Sequence, residues 1–151
     1  MLHMKGVHKI MNSKVTTVII LSILTVIIGM ALNFQEFLMG SPATVKNLIV
    51  TFAYISMWIL IITRSTKFKN RGVMKYYSIF WILTLFLSIL TGYVNITGAQ
   101  VDWAIPFAIL LLGQWYGINF FVGSFLTASI ITAFISLVML TITVISLKRI
   151  K

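Results

Sequence analysis

Hydrophobic residues run along this chain in long unbroken blocks, separated by short basic, polar or turn-forming stretches. The first block, residues 15–32, contains no charge. As a helix it reaches about 27 Å, close to the ~30 Å hydrocarbon core of a bilayer. Residues 33–47, with Glu36, Gly40, Pro42 and Lys46, read as a loop, in which Pro42 is also suited to the first turn of a second helix. The second block covers residues 46–63, with Lys46 snorkelling to the interface. A basic loop, 64–75, follows, and the third block runs over residues 76–94. Tyr76, Tyr77 and Trp81 near its start and Tyr93 at its end fit interfacial aromatic belts.

Residues 103–147 are free of charged side chains and longer than one crossing needs. Gly113 to Asn119 is their most turn-like part, and the ten residues before it are too few to span. Residues 103–112 are therefore predicted as a half-helix, interfacial or re-entrant, with Pro106 in its first turn. The last span is predicted over residues 120–147, long enough to tilt or to project into the headgroups. The predicted fold is all-α: a polytopic membrane protein, a four-transmembrane-helix bundle with one short extra half-helix before the last span. Residues 1–151 form a single integral membrane domain.

Charge decides the orientation. With four crossings and the N-terminus inside, the cytoplasmic segments are 1–14, 64–75 and 148–151. Of the 12 Lys and Arg, only Lys46 then falls outside, together with both acids, Glu36 and Asp102. That partition follows the positive-inside rule, whereas five crossings would put the basic C-terminus outside. Lys14, the block after it and Gly29-Met30-Ala31 also resemble a signal peptide, more so if translation starts at Met11 rather than Met1 or Met4. A retained first helix gives the even number and is the expectation.

Composition supports the bilayer as solvent and partner. The chain is 60% hydrophobic and only 9% charged, against roughly 25% charged in soluble domains. The net charge of +10 sits in clusters flanking the apolar blocks, so it orients the protein and no nucleic-acid partner is expected. There is no cysteine, which excludes disulfides and thiolate chemistry. With the short loops and lysine-rich flanks this suits a bacterial plasma membrane.

No span carries an Asp, Glu, Lys, Arg or His near its middle, so an ion-coupled carrier, an intramembrane protease or any other enzyme is not expected. Small drug-exporting dimers use a carboxylate within the first span, whereas Glu36 lies past residue 32. Glu36 and Asp102 read as loop residues, and His3 and His8 as part of a polar terminus. No cofactor, metal or catalytic residue is expected.

Two constellations are candidates. Ser124, Ala128, Thr132 and Ser136, widened by Ser129 and Ala133, line one ridge of the last helix at a spacing of four. Small residues let helix backbones approach closely, inside the chain's own bundle or against a copy of itself or another membrane protein. Gln114, Trp115, Tyr116 and Asn119 would line a small polar cavity if their segment re-enters the membrane. Gly113 and Gly117 form a GxxxG pair, assigned to a bend. The ridge suggests a non-enzymatic protein acting through helix–helix contacts, of accessory, assembly or immunity type. The polar cavity suggests an oligomeric permease or channel component for an uncharged or lipidic solute.

Overall fold

The computed structural model describes the backbone of residues 2–150 and the side chains of residues 14–150. The side chains of Lys5, Lys9 and Lys151, to which part of the orientation argument refers, and those of His3 and His8 in the polar terminus lie outside the described residues. The protein is all-helical, with no strand among the described residues. Its helices are α1 (Leu2–Met39), α2 (Val45–Lys67), α3 (Arg71–Thr97), α4 (Ile105–Leu112), α5 (Asn119–Val122) and α6 (Phe125–Arg149). Five stretches are long and apolar enough to cross a membrane: Lys14–Met39, α2, α3, the composite Asp102–Val122, and α6.

The helices outrun the hydrophobic blocks because nothing stops them at the blocks' ends. Residues 33–39 contain neither Gly nor Pro, so α1 continues to Met39 and only Gly40–Thr44 lies outside helix. The loop expected over residues 33–47 is thus much shorter. Pro42 lies within it, and Thr44 caps α2 with extended backbone. Asn70 caps α3, its Oδ1 accepting from the Val73 N–H at 3.1 Å, which draws Arg71 and Lys75 into the helix. Arg64 and Lys67 close the last turn of α2, where cations suit the helix dipole. The last long helix begins at Phe125, not Phe120: Gly123 takes a left-handed φ of 60° and ends α5, and Ser124 restarts the chain in extended geometry.

Packing arranges these elements as two pairs with a wedge. The hairpin α1–α2 forms one pair and α3–α6 the other, and the broken segment 102–122 sits among α1, α2 and α3. Gly92, near the end of α3, lies against Leu126 and Ser129 at the start of α6, so these helices are antiparallel. The chain therefore leaves α3 and enters α6 at the same end of the bundle. Between them, a 3-10 turn (Asp102–Ala104) leads into α4, with Pro106 in the first turn, then a 3-10 stretch (Gly113–Ile118) leads into α5. At the tip, Gly113 lies beside Met30, and Gln114 beside Gly29 and Tyr54. That is about 15 Å along α1 from its end at Met39. The segment then turns back, and the Tyr116 hydroxyl donates to the Ser41 carbonyl in the α1–α2 loop.

Aromatic rings lock the tip to α2 and α3. Trp58 stacks on Phe80 at 4.6 Å and meets Trp81 edge-on at 5.0 Å, while Trp115 meets Tyr54 at 5.2 Å and Trp81 at 6.3 Å. Such pairs contribute roughly 0.5–1.5 kcal/mol each beyond area burial, and between helices in lipid, packing is the main attraction. This corrects the belt assignment: Tyr77 and Trp81 are fully buried core residues, and of that set only Tyr93 is exposed. The outer surface of the long helices carries Ile20, Ile59, Phe86 and Phe134, as expected of lipid-facing positions.

Candidate functional site

Irregular backbone at membrane depth persists only where its polar groups find partners inside the protein. The stretch Gly113–Ile118 finds them in a seam of side chains from α1 and α2. Asn33 Nδ2 donates to the Gly113 carbonyl at 3.1 Å. Thr51 Oγ1 donates to the Gln114 carbonyl at 2.7 Å and accepts from the Gly117 N–H at 3.0 Å. Gln114 Nε2 donates to the Leu111 carbonyl at 2.7 Å and to the Tyr54 hydroxyl at 3.3 Å. Asn47 completes the seam: its Nδ2 donates to Asn33 Oδ1 at 3.1 Å, and its Oδ1 accepts the Thr44 N–H at 2.7 Å. Asn33, Asn47 and Gln114 have no exposed surface. The glycine pair assigned to a bend has a further role, because Gly117 rests directly on the backbone of Asn47 and Gly113 on Met30.

Of the four residues assigned to a polar cavity, the structure brings three to one cleft, and its walls are mainly apolar. Trp115, Tyr116 and Asn119 line a cleft of about 150 Å³ between the broken segment, α3 and α6. Gln114 does not join them, because it belongs to the seam with α1 and α2. Ser88 and Thr91 of α3 and Ser129 and Thr132 of α6 supply the cleft's hydroxyls. Of these the sequence singled out Thr132 and Ser129 only as packing residues. Ser88, Ser129 and Thr132 donate to carbonyls of their own helices, so they offer the cleft lone pairs rather than protons. Trp115 Nε1 and Asn119 Oδ1 are buried without a hydrogen-bond partner. The cleft thus combines mainly apolar walls with hydroxyl oxygens and, among the described residues, no charged side chain.

The ridge on α6 faces inward. Ala128, Thr132 and Ser136 are buried, with Met139 and Thr143 continuing the same face, while Ser124 is half-buried at the helix cap. Opposite them stands α3, where Gly92 leaves room for Ser129: a β-carbon at Gly92 would sit 3.1 Å from the Ser129 hydroxyl. Replacing Ser136 or Thr143, fully buried on this face and away from the cleft, by leucine is accordingly expected to overpack the α3–α6 contact. Each change should cost about 1–3 kcal/mol, read from thermal unfolding in lipid. Unchanged midpoints would mean that the ridge is not packed inside the bundle.

Glu36 lies in the last helical turns of α1, not in a loop, and is ion-paired with Lys46, the one cation assigned to the outer side. Asp102 opens the 3-10 turn at the start of the broken segment. Among the described residues no group of three or more His, Cys, Asp or Glu is placed to hold a metal ion. Comparison of the chain with protein-family models, curated proteins and solved structures gives no match.

Proposed function

We propose that this is a non-enzymatic protein of a bacterial plasma membrane, with four crossings and both termini cytoplasmic, that binds or passes an uncharged or lipidic solute. In this topology α1, α2, α3 and α6 cross, and residues 102–122 dip in from the outer face and return to it. The antiparallel contact between the end of α3 and the start of α6 supports the even number, as does the charge partition. The observation that carries the function is the cleft itself. It is held open against the membrane interior by a broken segment, and it presents the oxygens of Ser88, Ser129 and Thr132 among alkyl groups, with the Asn119 amide in its wall. A charged solute would lose several kcal/mol on entering such surroundings. A neutral one with a hydroxyl or amide can donate to those oxygens.

The second proposal is an accessory, assembly or immunity-type protein acting through helix–helix contact. Its small-residue ridge is occupied by α3, so the contact would need the outward face of α6, where Ile130 and Phe134 are exposed.

The absence of cysteine offers a clean background for one experiment that separates these proposals. Single cysteines at Thr91, Asn119 and Thr132 are expected to react with a water-soluble maleimide added outside, more slowly than one at Gln100. A cysteine at Lys69 should react only after permeabilisation. If Thr91 and Thr132 prove as inert as lipid-facing Ile130, the solute proposal fails. If Lys69 reacts from outside, the topology fails. Disulfide crosslinking through a cysteine at Phe134 would favour the helix-contact proposal.

A further inference from the structure

Above the cleft lies a second chamber. Gly40, Ser41, Pro42 and Ala43 of the α1–α2 loop, with Phe120 and Gly123, border an open space of about 370 Å³ at the end of the bundle from which the broken segment starts. The two chambers share three wall residues, Tyr116, Asn119 and Phe125. Tyr116 is held between Phe37 (ring centroids 5.7 Å apart) and Phe125 (5.9 Å), and its hydroxyl is tied to Ser41. Tyr116, Phe125 and Asn119 therefore stand between an upper chamber bordered by loop backbone and a lower one walled by Ala108, Leu112 and Ala128. Among the described residues, no Lys, Arg, His, Asp or Glu lines either chamber.

We infer that the two chambers are one binding site for a small uncharged amphiphile that carries a hydroxyl or amide head and an apolar end about the size of a single benzene ring. This ligand class rests on the solute-binding proposal and narrows it. The size limit comes from the lower chamber: about 150 Å³ matches the cavity volume that, in an apolar protein core, accepts one benzene. A full-length acyl chain does not fit. The head chemistry comes from the Asn119 amide, which lines both chambers, and from the Ser88, Ser129 and Thr132 oxygens, which can accept from a neutral donor. Direction follows from the order of the chambers. The apolar end occupies the lower chamber, and the head lies at Asn119, in reach of the upper chamber and of water on the outer side. A ring resting against Phe37, Tyr116 and Phe125 in the lower chamber meets aromatic edges and faces, the contact such rings favour.

The test uses the full chain in lipid nanodiscs and a diazirine-bearing 2-phenylethanol, with the labelled positions read by mass spectrometry. Labelling is expected within residues 108–119 and 126–132. Unmodified 2-phenylethanol should compete, whereas phenylacetate and phenylethylammonium should not at a hundredfold higher concentration. Asn119→Ala, which removes the head contact, and Ala108→Leu, which fills the lower chamber, should each weaken competition about tenfold, the equivalent of one hydrogen bond or a methylene-scale clash. Ile79→Ala, on the lipid-facing side of α3, should leave it unchanged. Thermal unfolding of each variant shows whether the fold is kept, and Asn119→Ala tests the site even if Ala108→Leu does not fold. A photoreactive monoacylglycerol run in parallel separates two failures. If it labels the cleft and the phenylethanol probe does not, the ligand class is wrong and the solute proposal stands. If neither labels the cleft, or if both label lipid-facing positions equally, both are overturned.

Discussion

Replacing Gly117 by alanine is expected to be the most damaging single-methyl change in the protein. A β-carbon there would lie 2.3 Å from the Asn47 carbonyl oxygen, 2.6 Å from its carbonyl carbon and 2.6 Å from Thr51 Oγ1. Two of these atoms belong to the backbone of α2, which cannot rotate away as a flexible side chain would. The 3-10 stretch must therefore move off α2. In doing so it breaks the Gly117 N–H to Thr51 bond and strains the bond from Thr51 to the Gln114 carbonyl. Overpacking costs about 1–3 kcal/mol, and each polar group orphaned in a water-poor site adds about 1–3 kcal/mol. A total of about 3 kcal/mol or more is expected, seen as loss of folded protein or a large fall in unfolding midpoint in lipid. Gly123→Ala is the control: its backbone is left-handed at φ 60° but a β-carbon there meets nothing within 4 Å. Only the conformational cost of about 1–2 kcal/mol should appear. Equal effects at the two glycines would refute the close approach at Gly117.

Asn47→Leu should have the next largest effect, through polarity rather than volume. Asn47 is fully buried and makes three hydrogen bonds: Nδ2 donates to Asn33, and Oδ1 accepts from the Thr44 N–H and from the Thr44 hydroxyl at 2.8 Å. Interhelical hydrogen bonds in membrane proteins average only about 0.6 kcal/mol, because polar groups find substitutes. Substitutes are scarce here. Asn33 Oδ1 loses its partner while its Nδ2 stays committed to Gly113, and the Thr44 N–H loses its cap. We expect about 2–4 kcal/mol, from two orphaned groups at about 1–3 kcal/mol each partly offset by the leucine's apolar packing. In a double-mutant cycle with Asn33→Leu the two changes should be less costly together than their sum, since the amide pair acts as a unit. Strict additivity would mean that the two amides do not touch.

Much of the candidate site was readable in advance. Gly113 to Asn119 stood out because glycines, an amide pair and two aromatics interrupt an apolar run, and that signal is local. Trp115, Tyr116 and Asn119 do border the cleft. The misassigned residues share one cause. Gln114 carries the same signal as its neighbours, yet the turn of the 3-10 stretch aims it at Tyr54. Asn33 and Asn47 looked like loop polarity because their partners, Gly113 and each other, stand 80 and 14 residues away. Ser88 and Thr91 are ordinary in a transmembrane helix until α4 and α6 are set beside them.

What the amino-acid order alone determined is therefore what lipid and water impose segment by segment: helices long enough to cross, an interrupted fourth element, and basic residues gathered beside particular ends. Each depends on transfer free energies summed over contiguous residues and needs no knowledge of neighbours. Only tertiary structure decided which helix faces meet. It turned the small-residue ridge of α6 inward onto α3, drew Tyr77 and Trp81 from the expected interface into the core, and extended α1 so that Asn33 reaches the broken segment. The physical reason is that lipid is as apolar as the helices, so hydrophobicity cannot rank one face above another. Shape and hydrogen bonding between distant segments make that choice.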